Sequence, residues 1–270
     1  MADSPIPTPA APYGDGLKPG RALSAVLLPT VTLVGLVVLW QLLIVGLRVP
    51  EYIMPAPSEF LARVYTSRAE LWSNLLVTSW EVILGFVSAT ILSVPLALLI
   101  ASVRRVEQAF YPIIVFFQLI PKIAIAPLFI VWFGFGLFPK VLMTFLLCFF
   151  PTLVAAMSGF KAMDLRVLYL TRSMGATRWQ TFRYVRLPSA MPFIFAGLRV
   201  SIVFASTGAI VGEFVGANSG LGYLLLRGTS YFDMSLIFAC LVVLSVMGLA
   251  FSYAVTAMEH VFMPWQRKEG

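Results

Sequence analysis

A hydrolytic site built on Ser–His or Cys–His needs an imidazole beside its nucleophile. This sequence has one histidine, His260, at the end of its last apolar run, and two cysteines, Cys148 and Cys240, inside other runs. Paired-histidine metal sites are excluded by count, and two isolated cysteines argue against a disulfide framework or a thiolate metal site. No GxxxxGK[ST] loop occurs, so the chain has no cradle of its own for nucleotide phosphates. Glu81, Glu107 and Glu213 are expected to lie too far apart to work as an acid–base pair. Catalysis by this chain alone is not expected.

The remaining candidates are charges inside apolar stretches. On the insertion scale an ion at mid-bilayer costs about 2.5–3.5 kcal/mol, and each Leu or Ile returns only about 0.3–0.6 kcal/mol. Lys122 lies mid-run between Pro121 and Pro127. A helix interrupted there would set backbone dipoles beside a cation, which suits a polar or anionic solute in transit. The same lysine could instead reach a neighbouring carbonyl or Glu213. Arg199, near one end of its run, fits snorkelling as well as a path. Glu213, near the far end of the same run, fits a gate or a hydrogen bond between helices.

Composition says what holds these residues. Hydrophobic residues make up 60% of the 270 and charged residues 11%, where a soluble domain carries roughly 25% charged. An ordinary water-soluble globule is excluded. Six runs of bilayer-spanning length follow, near 22–47, 82–103, 110–133, 141–160, 192–215 and 234–258, since about 20 apolar residues cross the hydrocarbon core. The expected fold is an all-α membrane protein of six transmembrane helices.

With the N-terminus inside, the cytoplasmic segments collect Lys18, Arg21, Arg104, Arg105, Lys161, Arg166, Arg172, Arg178, Arg183, Arg186, Arg267 and Lys268. The outer segments hold only Arg48, Arg63, Arg68, Lys140 and Arg227. That asymmetry places both termini in the cytoplasm. The net charge of +7 is therefore a topology signal, and no nucleic-acid partner is expected. Residues 1–21, with five prolines and three glycines, read as a disordered tail, and 22–270 as a single transmembrane domain. A short outer helix is expected over Glu59–Val64, capped by Ser58. Gly208, Gly212, Gly216 and Gly220 recur every four residues, a small-residue spacing for close helix approach.

The segment from Lys161 to Pro192 carries six basic residues against one acid, Asp164. Helical spacing through Leu165, Leu168 and Thr171 breaks at Gly175–Ala176, and Thr177 is a plausible N-cap for a second helix that Pro188 should end. Two short helices at a glycine elbow suit the docking of a partner. A basic loop resting on anionic lipid fits the same residues.

The run Arg172-Ser-Met174-Gly175-Ala176-Thr-Arg-Trp179, continuing to Val185-Arg-Leu187-Pro188, resembles the EAA loop of binding-protein-dependent ABC importer permeases. In that loop EAA is followed by three residues, Gly, nine residues, an aliphatic residue, one residue and Leu-Pro. The similarity continues through Pro127–Gly134, Gly197-Leu-Arg199 and Gly212–Tyr223. It looks closest to the nitrate, sulfonate and taurine branch, which also includes pyrimidine-precursor permeases. Two departures stand out. Tyr169-Leu170-Thr171 occupies the place of Glu-Ala-Ala, whose glutamate helps seat the loop in a groove of the ATPase; Tyr169 and Arg172 offer a hydroxyl and a cation there instead. Relatives also often carry a basic residue where this chain has Glu81.

The resemblance implies the type I ABC importer permease fold in the bacterial inner membrane and a path for a small polar or anionic solute or an oxyanion. Tyr169, Arg172, Met174, Gly175, Ala176, Leu187 and Pro188 would form the ATPase-coupling loop. Glu81, Lys122, Arg199 and Glu213 would be candidates for the path, and Gly208, Gly212 and Gly216 for helix contacts. Implied partners are a second copy, two ABC ATPase subunits, an extracytoplasmic solute-binding protein and membrane lipid. ATP and Mg would sit on the ATPase, and this chain would bind no cofactor. The alternative from another class is a self-contained channel or ion-coupled carrier using Lys122 and Glu213 as a charge pair.

Overall fold

The computed structural model describes residues 19–163 and 165–265, without the side chains of 19–26, 165 and 172. The tail expected over 1–21 lies outside the described residues as far as residue 18, as do Asp164, Arg267 and Lys268. Helix α1 has begun by Pro19 and runs to Leu47.

Apolar runs without interior charge become long helices because every backbone group must be satisfied within the segment. After α2 (Pro57–Thr66) come α3 (Arg68–Ser102), α4 (Arg104–Leu119), a 3₁₀ turn (Lys122–Ile125), α5 (Ala126–Phe133) and α6 (Leu137–Lys161). Then follow α7 (Leu165–Ser173), α8 (Arg178–Thr181), a π-helical turn (Phe182–Arg186), α9 (Leu187–Gly216), α10 (Leu221–Ser230) and α11 (Met234–Phe262). Among the described residues, α1, α3, α6, the continuous α8–α9 and α11 are long and apolar enough to cross a membrane. The α4 and α5 segments meet at a 76° bend and make a sixth span if taken together. The bend falls at Pro121, where the sequence predicts an interruption.

The core lies where α6 runs between α3 and α9. Ala89 and Ala97 of α3, Ala156 of α6, and Ala205 and Ala209 of α9 are fully buried. Small side chains let backbones approach, and in lipid that contact supplies much of the association energy. A Cβ on Gly208 would lie 2.7 Å from Thr144 Cα, and one on Gly212 2.9 Å from Lys140 Cα. The glycine spacing therefore serves the α6–α9 seam, with Gly216 closing on the side chains of Ile130 and Phe135. Polar groups tie the same seam: Thr152 Oγ1 and Ser201 Oγ are 2.7 Å apart, and Cys148 Sγ donates to Ser201 O at 3.2 Å. Helix α1 stays outside this core, with Ile44 its one buried side chain among those described. It is tethered where Gln41 bonds Ser58 and Trp40 meets Phe60 of α2 and Phe238 of α11.

Three local expectations are corrected. Ser58 does not cap α2, because Pro57, with its preset φ, takes the first helical position; Ala56 is the cap, its N–H donating to Glu59 Oε2 at 2.7 Å. Pro188 does not end a helix either. The π turn ahead of it, in which Leu187 N–H donates to Phe182 O, widens the backbone where the proline ring would strike the preceding turn. The chain therefore runs unbroken from Arg178 to Gly216. Gly220 lies beyond α9, in the loop that leads to α10.

Candidate functional site

Two constellations sit at opposite ends of α6 and α9. The first is the elbow between α7 and α8. Gly175 has φ +79°, a left-handed conformation that side chains resist, and it lets Ala176 N–H return to Thr171 O at 3.1 Å. Thr177 then caps α8 as the sequence predicts. Gln180 N–H donates to Thr177 Oγ1 at 3.2 Å and Gln180 Oε1 accepts from Thr177 N–H at 2.8 Å. Tyr169, Met174, Trp179 and Tyr184 are exposed around this turn, Met174 at 78%. A groove of about 400 Å³ runs between Thr171, Met174–Ala176, Gln180 and Tyr184–Val185. Leu187 and Pro188 are half-buried and do not line it, and the Arg172 side chain lies outside the described residues. The elbow is anchored by an ion pair between Lys161 and Glu107 and by Arg186 Nη1 donating to Ser102 Oγ at 3.3 Å.

The second constellation begins 21 residues earlier along α6, about 32 Å at 1.5 Å per residue and so a bilayer core away. Lys140 Nζ donates to Glu81 Oε1 of α3 at 2.7 Å, with side chains 9% and 0% exposed. Glu213 of α9 is fully buried beside them; its Oε1 accepts from Thr78 Oγ1 at 2.7 Å and its Oε2 from Gly222 N–H at 2.5 Å. Asn74 Oδ1 accepts Gly220 N–H at 2.7 Å and Thr78 Oγ1 accepts Leu221 N–H at 2.8 Å. The first three amides at the start of α10 are thus satisfied by α3 and α9, with a carboxylate at the positive end of the helix dipole. Gly220 has φ +114°, and a Cβ there would run into the Glu213 carboxylate.

This arrangement corrects two expectations. Glu81 and Glu213 are not scattered: Thr78, one turn before Glu81 on α3, bonds Glu213, and Lys140, the partner of Glu81, packs on Gly212 beside it. Lys140 is not an outer-loop charge but the buried partner of Glu81. Sequence reasoning missed Lys140, Asn74 and Thr78. The only signal was spacing on α3, where 74, 78 and 81 share a helical face. Above the cluster opens a cavity of about 370 Å³ bounded by Val77, Glu81, Phe135–Leu137, Lys140 and Gly216–Ser219.

The other two intramembrane cations are separate from this cluster. Lys122 Nζ donates to Gln118 O at 3.0 Å, at the carbonyl end of α4, and lies 5.2 Å from the centre of the Phe150 ring. It does not pair with Glu213. Arg199 Nη1 is 3.0 Å from Glu259 Oε2 of α11, its side chain 46% exposed. Among the described residues no group of three His, Cys, Asp or Glu could hold a metal ion.

Residues 89–268 match the family described as the binding-protein-dependent transport system inner membrane component. The chain belongs to that family. It is an inner-membrane permease subunit of an ABC importer, with no catalytic role in the family. It is 36% identical over 242 residues to the formylaminopyrimidine transport permease ThiX of Halalkalibacterium halodurans, covering 89% of this chain and 96% of that one. It is 35% identical to the riboflavin transport system permease RibX of Chloroflexus aurantiacus, covering 87% and 89%, and 25% identical to the taurine permease TauC of Escherichia coli, covering 87% and 88%. Solved inward-facing structures of the MetNI methionine ABC transporter share the fold, with TM-score 0.58 at 19% identity over 74% of this chain and 97% of that chain. In this permease the family match takes in the elbow, Lys140 and Glu213, and starts eight residues after Glu81.

Proposed function

We propose that the Tyr169–Pro188 elbow is the surface on which this permease seats a separate ATPase, and that ATP and Mg act there rather than on this chain. The observation that carries this reading is the elbow itself. A glycine at positive φ presents Tyr169, Met174 and Trp179 to the exterior at one end of the bundle, and exposed aromatics with methionine around a groove are typical of protein docking. Both termini face the same cytoplasmic side. An extracytoplasmic binding protein delivers a small polar organic solute or an oxyanion at the opposite end, near Glu81 and Glu213.

A second copy of the chain completes the path. The seams between α3, α6 and α9 are filled by alanine and glycine contacts, so a passage has to form between subunits, most economically about a two-fold axis. Closure of the ATPase dimer draws the two elbows together and rocks the bundles from inward-open to outward-open. Lys122 at the α4 break, Arg199, Glu81 and Glu213 are the polar groups available along that route.

Gly175→Pro tests the coupling step, because proline fixes φ near −65° where +79° is required. Assembly of the bundle with loss of ATP-driven uptake is expected. Unchanged ATP-driven uptake would contradict the elbow's role.

A further inference from the structure

The cavity above Lys140 lies at the end of the bundle opposite the elbow, where a delivered solute would arrive, and polar groups line it. We infer that this cavity is where the solute is first held on the permease, and that the solute it takes is neutral or cationic and rich in N–H donors, an amino-substituted heterocycle rather than an oxyanion. This rests on the importer reading above and narrows it.

The floor decides the charge. Two buried carboxyl groups, Glu81 and Glu213, face one ammonium, Lys140, which is already committed to Glu81 Oε1. Donors reach Glu81 Oε1 from Lys140 and the two Glu213 oxygens from Thr78 and Gly222. Glu81 Oε2 has no donor among the described residues. The site is therefore short of donors and carries no surplus positive charge. An oxyanion would bring more acceptors and more negative charge to a buried floor that already has too many, and buried unpaired acceptors are unfavourable. A solute N–H supplies what is missing. Asn218 and Ser219 on the rim offer an amide and a hydroxyl, and Phe135 a flat apolar face. The volume of about 370 Å³ falls in the range of small-molecule sites. The basic Lys122 and Arg199, which would favour an anion, do not line this cavity; they lie against Gln118 O and Glu259.

The test places a thiol on the rim with Ser219→Cys in the full chain, purified with its partners. Native Cys148 and Cys240 are fully buried and leave the background low. The rate of modification by a small methanethiosulfonate reagent is read with cytosine, adenine or riboflavin present, and separately with methanesulfonate or nitrate. At about four times its dissociation constant a bound heterocycle should slow the reaction about fivefold by mass action, while the two anions leave it unchanged. Protection by methanesulfonate or nitrate, or by none of the heterocycles, overturns the proposal. Adding Glu81→Gln should abolish the heterocycle's protection; protection that survives it removes Glu81 from the site. If that variant does not fold, Ser219→Cys alone still reports the charge: cationic reagents should outpace anionic ones by more than they do on free cysteine, and a ratio at or below that of free cysteine contradicts the assignment. An ATPase that co-purifies with a chain failing every protection assay removes the site and leaves the importer reading standing. A chain that carries no ATPase removes both.

Discussion

Lys140 Nζ donates to Glu81 Oε1 across 2.7 Å, joining α6 to α3 at the level where a glycine of α9, Gly212, leaves room for the Lys140 backbone. The contact spans 59 residues of sequence and is buried. With Glu213, Thr78 and Asn74 it fixes where α10 begins, and so shapes the cavity at that end of the bundle.

Breaking one partner of this pair should be worse than removing both. Lys140→Met leaves the Glu81 carboxylate buried without its cation, a loss of about 3–5 kcal/mol for pairs of this kind. The double variant Lys140→Met with Glu81→Gln should recover most of it. Thermal unfolding of the purified permease in detergent reads these and Glu81→Gln alone; a double loss equal to the sum of the two single losses would show that the residues are not coupled.

Gly208→Ala should destabilise the bundle by about 1–3 kcal/mol through overpacking, since its Cβ meets the Thr144 backbone. Gly35→Ala, with open space around it, should be neutral within about 0.5 kcal/mol. Denaturant titration of the two variants checks the contrast, and a neutral Gly208→Ala would mean that α6 and α9 are not held at this distance.

Six spans, the interruption at Lys122 and the capped elbow at Thr177 are legible in the sequence because each rests on local chemistry: the length of an apolar run, a proline, a side chain that returns to its own backbone. The Glu81–Lys140–Glu213 cluster is not legible. Lys140 lies four residues into its helix and looks like any interfacial lysine until the fold brings α3 against α6. Pro188 misleads for a related reason, because the π turn just ahead of it makes room for the ring and the helix continues. Gly220 follows the four-residue spacing of the α9 glycines, yet its role is a turn beside Glu213 and not a helix contact.

Thr78→Val should cost about 1–3 kcal/mol, because it leaves Leu221 N–H and Glu213 Oε1 without their buried partner. Hydrogen exchange at the first turn of α10 locates the effect. Protection there equal to the parent protein would show that α3 does not hold this helix.

Lys122→Met should lower solute uptake without disturbing assembly, since the ammonium serves one backbone carbonyl at the α4 break and touches neither buried carboxylate. Uptake into vesicles beside a size-exclusion profile separates the two effects; unchanged uptake would remove Lys122 from the path.

Met174→Asp puts a charge on the most exposed apolar side chain of the elbow. Loss of a central contact of about 1.4 kcal/mol corresponds to tenfold weaker ATPase association. A pull-down of the ATPase by the tagged permease measures it, and undiminished capture would exclude Met174 from the docking surface.

The central claim is that this chain works with a separate ATPase seated on the elbow. Purification of the tagged chain in mild detergent, with identification of its co-purifying subunits and an assay of ATP hydrolysis, tests it most directly. A stoichiometric ATPase that hydrolyses ATP is the predicted result. A chain that emerges alone and moves solute across vesicles without ATP would contradict the account.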